Sequence, residues 1–225
     1  MSLEVFIANE SLRFLPERAL YWPRRHTLLL SDLHLGKDQV FRDHGIPIPA
    51  SVLQEDLSRL EHLISEYKPH RLVILGDLVH TKPRALDRWV QRFQHWRGRY
   101  GELQIDVVLG NHDRGMEDII DQWNMVPHQQ IVEEPFCFVH DPRGEHPGFP
   151  IGGHVHPTLK LQDGPATLRV PVFWVRTDST ILPAFGVFTG GHDIRPDPTD
   201  RLFAVAGNEV VETTPIKPGQ PRVSS

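Results

Sequence analysis

Four largely apolar runs in the first two thirds of the chain are each followed by polar residues. They span residues 26–30, 72–75, 105–109 and 136–139. Apolar runs of this length, bounded by polar or turn-forming residues, are typical of buried strands. Because α/β proteins hold their functional groups in the loops at strand ends, the pattern predicts a site that these loops form together.

Helical periodicity separates the runs. Residues 53–67 repeat apolar side chains at helical spacing behind Ser51 and Gln54, which resemble a capping box. Residues 84–99 show a second apolar face, formed by Leu86, Trp89, Val90, Phe93 and Trp96. A short helix is predicted over residues 116–123. The central part of the chain is therefore predicted to run strand, helix, strand, helix, strand.

Strands without helices are predicted on both sides of this unit. Residues 12–30 are expected to form two or three strands, and further short strands are predicted at residues 158–161, 168–174 and 202–206. This order predicts an α/β fold of two mixed β-sheets packed face to face and flanked by helices, an α-β-β-α sandwich. One domain is expected over residues 1–214, and the proline-rich residues 215–225 are expected to be a disordered tail.

Composition restricts the classes of function. The formal net charge of the 225 residues is −5, which argues against coating nucleic acid with bulk positive charge but leaves local basic patches open. The one cysteine, Cys137, lies in a predicted strand and excludes an internal disulfide. No apolar run approaches the ~18 residues of a membrane span, and residues 1–10 lack a signal-peptide pattern. We therefore expect a cytoplasmic protein.

The polar residues at the strand ends are of the types that hold divalent cations. Five segments carry them: Asp32-Leu33-His34, Gly76-Asp77, Gly110-Asn111-His112-Asp113, His140 and Gly153-His154-Val155-His156. Two cations about 3.5–4 Å apart can share a hydroxide and neutralise the charge that develops on a phosphoryl group. Asp77 is the natural bridging ligand, because its two carboxylate oxygens can reach both ions. Asp32 and His34 are expected to point to one side, since side chains on a strand repeat every second residue.

In this order the segments resemble the calcineurin-like metallophosphoesterase superfamily, whose pattern reads D-x-H, G-D, G-N-H-[DE], H and G-H-x-H. The resemblance implies one metal bound by Asp32, His34, Asp77 and His156, and a second bound by Asp77, Asn111, His140 and His154. It also implies that His112, paired with Asp113, protonates the leaving oxygen or stabilises its charge, which suits an imidazole near pH 7. The implied enzyme is a metal-dependent phosphoesterase that prefers phosphodiesters to monoesters.

Further segments narrow the resemblance. Residues 32–37, 41–47, 182–186 and 189–191 are similar to those of the bacterial ligase-associated phosphoesterases, the PdeM family. This similarity covers most of the chain and implies a phosphodiesterase or endonuclease of DNA repair. It also implies a DNA ligase, a helicase and an exonuclease as candidate partners.

The ligand types also bear on the metal. Carboxylate, amide and imidazole ligands without a thiolate favour Mn²⁺, with Fe²⁺ and Zn²⁺ as alternatives. Nine further histidines are expected on the surface or in the core. Of these, His80 stands only three residues after Asp77.

Basic residues lie on one side of the predicted helix at residues 84–99. Arg84, Arg88 and Arg92 are candidate nucleic-acid contacts, with His95 and Arg99 on the same side. Such a stripe beside a metal site can follow a phosphate backbone. The alternative is an ordinary solvated helix face.

Two other functions remain open from the sequence. A hydrolase of small nucleotides or pyrophosphates would use the same metals, although versions for lipid-linked substrates usually carry an apolar insertion, which is not visible in this sequence. A non-catalytic, metal-bearing subunit of a repair complex would need the ligands but not His112 and Asp113. The presence of these two residues favours an enzyme.

Overall fold

A computed structural model describes residues 1–49, 51–84, 86–163 and 166–213. Its strands are β1 (Leu3–Ile7), β2 (Glu10–Leu15), β3 (Ala19–Trp22), β4 (Thr27–Leu30), β5 (Arg71–Leu75), β6 (Gln104–Val108), β7 (Val126–His128), β8 (Ile131–Glu133), β9 (Phe136–Phe138), β10 (Phe149–Gly152), β11 (Pro157–Asp163), β12 (Ala166–Val175), β13 (Thr180–Ile181), β14 (His192–Asp193), β15 (Arg201–Ala206) and β16 (Glu209–Thr213). Its helices are α1 (Lys37–Asp43), α2 (Val52–Tyr67), α3 (Arg88–Arg99) and α4 (Glu117–Gln122), with a 3-10 turn at Pro23–Arg25. Residues 215–225, predicted to be a disordered tail, lie outside the described residues.

The first sheet is built in chain order. Strands β1 to β7 lie side by side, antiparallel from β1 to β4 and parallel from β4 to β7. In the parallel part, Leu72 of β5 pairs with Leu28 of β4 and with Ile105 of β6. The helices between these strands cross back over the sheet, so the carboxyl ends of β4, β5 and β6 meet at the same edge.

A second sheet packs against the first. Its order is β14-β11-β12-β13-β10-β9-β8, with β15 paired to β12 and β16 paired to β15, and it contains parallel and antiparallel pairs. Phe14 of the first sheet stacks on Phe173 of the second with ring centroids 4.3 Å apart. Trp22 meets Phe136 edge to face at 5.0 Å. This buried aromatic layer fixes the position of β9 relative to the first sheet.

Helices α2, α3 and α4 cover the outer face of the first sheet. Their apolar side chains, including Leu57, Phe93 and Ile120, share one buried cluster with Leu72 and Ile74 of β5. The predicted fold class is thereby confirmed: two packed mixed β-sheets flanked by helices. Beyond α4 the described elements are all strands. Within the described ranges, no helix has the length and apolar character needed to cross a membrane.

Two local predictions at the helix starts are wrong. Helix α2 begins directly after Ser51, as predicted, but the Ser51 side chain makes no capping hydrogen bond, and the Gln54 amide donates instead to Ser58 Oγ (3.2 Å). Helix α3 begins at Arg88, four residues later than predicted, because the segment before it forms a turn in which the Arg84 N–H donates to Asp87 Oδ2 (2.9 Å). Leu86 is consequently 87% exposed and not part of the buried helix face.

Strand β1 is a further difference, since the sequence does not predict it. Apolar side chains stand on both faces of this edge strand: Val5 and Ile7 are buried, whereas Phe6 is 68% exposed. The alternation of polar and apolar residues that identifies a half-buried strand is therefore missing.

Arg97 is a buried cation that ties α3 to the chain around it. It belongs to the basic sequence of α3, yet it is only 5% exposed. Its guanidinium donates to the carbonyl oxygens of Trp123 (3.2 Å), Leu103 (3.1 Å) and Asn124 (2.7 Å), and also to that of Tyr100. These bonds satisfy carbonyl groups that follow α3 and α4, although that of Tyr100 also accepts the Leu103 N–H (3.0 Å).

Replacing Arg97 with methionine keeps much of the apolar stem and removes every donor. We expect the free energy of unfolding to fall by about 3 kcal/mol, because several carbonyl groups lose their partner in a buried place. Urea denaturation followed by circular dichroism measures the change. The matched control is Arg88→Met on the exposed side of the same helix, which should change stability by less than about 0.5 kcal/mol. Equal effects of the two substitutions would contradict this account of Arg97.

Candidate metal centre

The predicted ligand segments meet at one edge of the two sheets. Residues 31–34 follow β4, Asp77 follows β5, and Asn111 follows β6. His140 follows β9, and residues 153–156 follow β10, which pairs with β9 in parallel. The strand order alone therefore carries all five segments to the same place.

A first cluster contains Asp32, His34, Asp77 and His156, whose ligand atoms all lie within 4.8 Å of one another. His156 Nε2 is 3.2 Å from Asp32 Oδ1, and His34 Nε2 is 3.6 Å from Asp77 Oδ2. The two imidazole Nε2 atoms are 3.4 Å apart. This is the residue set that the sequence resemblance implies for one metal.

A second cluster contains Asp77, His140 and His154, again with ligand atoms within 4.8 Å. His140 Nε2 lies 3.5 Å from Asp77 Oδ2, 3.0 Å from His154 Nδ1 and 3.2 Å from Asn111 Oδ1. The structure thus brings together all seven predicted ligands. Asp77 belongs to both clusters, which is the position required of a bridging carboxylate.

The chemistry of these groups fits two cations. Asp32 and Asp77 are buried, and within the described ranges neither forms an ion pair with a lysine or an arginine. Burial, together with the neighbouring rings, lowers the pKa of His34 to about 2 and also lowers the pKa of His154. The Nδ1 atom of His34 is buried without a hydrogen-bond partner in the described structure. Neutral imidazoles and carboxylates that converge without a basic partner are a donor set suited to divalent metals.

The ligands depend on an unusual backbone conformation. Asp32, His34, Asp77, His154 and His156 all have φ between 48° and 67°, in the left-handed region that residues other than glycine rarely adopt. The expectation that Asp32 and His34 extend a strand is therefore wrong, because β4 ends at Leu30. Their side chains reach the same cluster because the backbone turns at each of them.

Hydrogen bonds between the loops hold these conformations. The N–H of Asp32 donates to the Gly76 oxygen (3.1 Å), and the N–H of His34 donates to the Asp77 oxygen (2.9 Å). The N–H of His154 donates to Asp32 Oδ2 (3.0 Å). Each ligand loop is therefore shaped in part by another one.

Asp113 does not pair with the His112 ring as the sequence suggests. Its carboxylate is fully buried and accepts hydrogen bonds from the N–H groups of Gly110 (2.9 Å), Val79 (3.1 Å) and Leu78 (3.3 Å). Burial raises the pKa of this carboxyl group. Among the described residues no ion pair joins His112 to Asp113. Asp113 instead fastens the loop after β6 to the loop after β5, which is a positioning role.

His112 is exposed and lies beside the first cluster. Its ring stacks on that of His80 with centroids 4.9 Å apart, and its centroid is 5.1 Å from that of His34. The ligand atoms of these three histidines also lie within 4.8 Å of one another. Burial, with His112 nearby, lowers the pKa of His80 to about 4. His80 is therefore part of the site and not an isolated surface residue.

The five ligand segments do not include two further parts of the site. One is Lys37, and the other is the segment at residues 185–189, which we call the strap. Lys37 Nζ donates to the Thr189 oxygen (2.8 Å), and burial lowers the pKa of this lysine. In the strap, the N–H of Phe185 donates to the Ser31 oxygen (2.8 Å), and Thr189 Oγ1 donates to the Asp32 oxygen (3.3 Å). A lysine after a ligand loop usually indicates a solvated surface, so Lys37 carries little signal of its own.

The candidate nucleic-acid contacts lie apart from the metal ligands. Arg88 and Arg92 line a groove of about 480 Å³ between α3 and α2, together with His95 and Arg99. Arg84 is exposed and precedes α3. The amino end of α3 nevertheless reaches the first cluster's loop, because Trp89 packs against Gly36.

Two glycines in the motifs leave space for ligands from other motifs. A Cβ on Gly110 would stand 2.2 Å from Asp77 Oδ1 and 2.4 Å from the Asp77 nitrogen. A Cβ on Gly153 would stand 2.2 Å from Asp32 Oδ2. These distances are far below van der Waals contact, so any side chain at either position must displace a ligand.

Replacing Gly110 with alanine is therefore expected to displace the ligand that both clusters share. We expect metal binding at both positions to weaken by at least tenfold, since loss of an outer support already costs metal sites roughly 10–100-fold in affinity. Titration of the metal-free protein with Mn²⁺, followed by calorimetry, measures the change. The control is Gly98→Ala on α3, where an added Cβ meets nothing within 4 Å. Unchanged Mn²⁺ binding in Gly110→Ala would refute the close contact with Asp77.

Comparison with known proteins agrees with this geometry. The family model described as calcineurin-like phosphoesterase matches residues 25–165. An uncharacterized metallophosphoesterase of Campylobacter jejuni is 28% identical over 97 residues, 42% of this chain and 21% of that protein, so the chain spans about a fifth of its length. The crystal structure of the Pseudomonas putida nuclease MPE is similar over 95% of this chain and 100% of its own, with 30% identity and a TM-score of 0.82. From its motifs, fold and ligand clusters, the chain belongs to the calcineurin-like phosphoesterase family.

Proposed function

We propose that this protein is a two-metal phosphodiesterase that acts on nucleic acid, as a nuclease-type enzyme of bacterial DNA repair. The observation that carries the proposal is the position of Asp77 in both ligand clusters. A carboxylate shared by two ligand clusters would hold a divalent ion in each, and two such ions together can act on one phosphoryl group. The similarity over nearly the whole chain to a protein described as a nuclease supports the choice of nucleic acid.

The residues divide the chemical work between them. Bound divalent ions supply Lewis acidity and lower the pKa of water that they hold. The seven ligands would hold these ions. His112 stands at the open side of the first cluster, where its imidazole can give a proton to the departing oxygen. Asp113 holds the His112 loop against the loop of Asp77 by accepting hydrogen bonds from the Leu78 and Val79 N–H groups.

Space beside the ligands supports the proposed preference for diesters. A cavity of about 550 Å³ opens beside Asn111, His140 and His154, so the site is not closed around a single phosphate. This space can accept the second substituent of a diester. We propose Mn²⁺ as the metal, because the ligands are oxygen and imidazole groups and the one thiol, Cys137, is buried in β9.

The first test compares two nitrophenyl esters in the presence of Mn²⁺. We expect kcat/KM for bis(4-nitrophenyl) phosphate to exceed that for 4-nitrophenyl phosphate severalfold or more. A ratio below one would indicate a monoesterase and contradict the nuclease proposal. Absence of turnover with either ester would favour a metal-bearing subunit of a larger complex.

The role of His112 is tested by changing the leaving group. His112→Ala should lower the cleavage rate of a DNA oligonucleotide by roughly 100-fold or more, because an alkoxide needs a proton to leave. Nitrophenyl ester hydrolysis should fall much less, since nitrophenolate departs unprotonated. His62→Ala, at an exposed histidine on α2, is the control and should leave both rates unchanged. Equal losses on the two substrates would indicate that His112 supports the site without acting as an acid.

The basic groove beside α3 is tested by charge removal. Replacing Arg84, Arg88 and Arg92 with glutamine should weaken DNA binding and flatten its dependence on salt, because fewer counterions are released from the phosphates. Fluorescence anisotropy at several salt concentrations measures both. The matched control changes three exposed arginines outside the groove, Arg13, Arg24 and Arg195, and so removes the same charge. If both triple variants respond alike, net charge and not this groove determines binding.

A further inference from the structure

The cavity beside the second cluster is lined in part by residues that are not metal ligands. Asn111, His140 and His154 line it together with Arg114, Gln129 and Gln130. A ligand whose phosphate lies at these metal ligands therefore shares one cavity with the other three residues. The volume of about 550 Å³ lies within the range of small-molecule sites, roughly 300–1,000 Å³.

Two neighbouring amides face this space. Gln129 and Gln130 are exposed in the turn between β7 and β8, which lie in different sheets. A carboxamide offers a donor and an acceptor side by side, and the edges of nucleobases carry the matching pattern. Two consecutive amides beside a phosphate site therefore favour a base or sugar over an apolar or a purely anionic group.

Arg114 is the one arginine or lysine that lines the cavity in the described part of the chain. Arg114 is exposed, and no hydrogen bond or ion pair of its side chain is found in the described part of the chain. Asp141, an acid of the lining, is already paired, because Arg143 Nε and Nη2 donate to its carboxylate at 2.8 and 2.6 Å. Glu117 is the remaining acid of the lining, so Arg114 is the group that can meet a second phosphate.

The position of His112 indicates which part of the substrate enters. His112 lies with His34 and His80 on the side of the first cluster, and it is not among the residues that line the cavity. If His112 serves the leaving oxygen, the leaving group points away from the cavity. The cavity then faces the other substituent of the phosphodiester, the one that keeps the phosphate.

We propose that this cavity binds the nucleoside that stays attached to the phosphate after cleavage. Gln129 and Gln130 hydrogen-bond its base or sugar, and Arg114 contacts the next phosphate of the chain. The assignment rests on the proposed phosphodiesterase function, because it takes the metal centre as the place of the scissile phosphate. It makes these three residues determinants of substrate preference and not catalytic residues.

Binding of product-like ligands to the Mn²⁺-loaded protein tests the proposal by calorimetry. The probes are phenyl phosphate, thymidine 5′-monophosphate, thymidine 3′-monophosphate and thymidine 3′,5′-bisphosphate. We expect one of the two thymidine monophosphates to bind roughly tenfold more tightly than phenyl phosphate, as one or two amide contacts provide. The bisphosphate should bind more tightly again.

Variants assign these gains to the named side chains. Gln129→Ala combined with Gln130→Ala should remove the advantage of the nucleoside and leave phenyl phosphate binding unchanged. Arg114→Gln should remove only the extra affinity of the bisphosphate. Gln94→Ala, at an exposed glutamine of α3 outside the cavity, is the control and should change neither.

The outcomes separate this inference from the proposed function. Equal affinity for phenyl phosphate and both thymidine monophosphates overturns the cavity assignment, whatever the diester turnover of the same preparation. Loss of phenyl phosphate binding in the glutamine variant also overturns it, because the side chains would then support the metal centre. Selective nucleotide binding without diester turnover would support the cavity and refute the phosphodiesterase.

Discussion

The Asp77 carboxylate is the group on which both halves of the site depend. Its Oδ2 atom faces His34 of the first cluster and His140 of the second, at 3.6 and 3.5 Å. Its Oδ1 atom accepts the N–H of His112 (2.9 Å). One short side chain therefore determines the relative positions of the two ligand clusters and of His112, the candidate acid. If this side chain moves, the positions of all three change.

This arrangement is maintained against the local preference of the backbone. A residue other than glycine in the left-handed region costs about 1–3 kcal/mol, and five of the seven ligands are in it. The combined cost is about 5–15 kcal/mol, which is comparable with the whole net stability of many domains. Such strain persists only where the surroundings determine it. Here the surroundings are the parallel strands, the aromatic layer between the sheets and the hydrogen bonds from one ligand loop to the next.

The sequence predicts which residues are ligands better than it predicts the backbone conformation and contacts that position them. Short apolar runs identify β4, β5, β6 and β9, and polar residues at their ends identify five of the seven ligands, because both signals are local. His154 and His156 follow β10, which the sequence does not predict, and their Gly-His-x-His pattern identifies them. The left-handed backbone at Asp32 and His34 is not local, since it depends on hydrogen bonds to residues 76 and 77. The role of Asp113 is not local either. It follows His112 in sequence, but two of its three hydrogen-bond donors lie in the loop after β5. Arg97 and Lys37 resemble surface cations until the packing around them is known.

The strap supports a ligand loop that is synthesised long before it. All seven ligands lie between Asp32 and His156, but the carbonyl of Asp32 is held by Gly186 and Thr189, and that of Ser31 by Phe185. During synthesis the ligands therefore leave the ribosome well before the residues that support their loop. The loop that carries Asp32 therefore gains these contacts only after the strap has been synthesised.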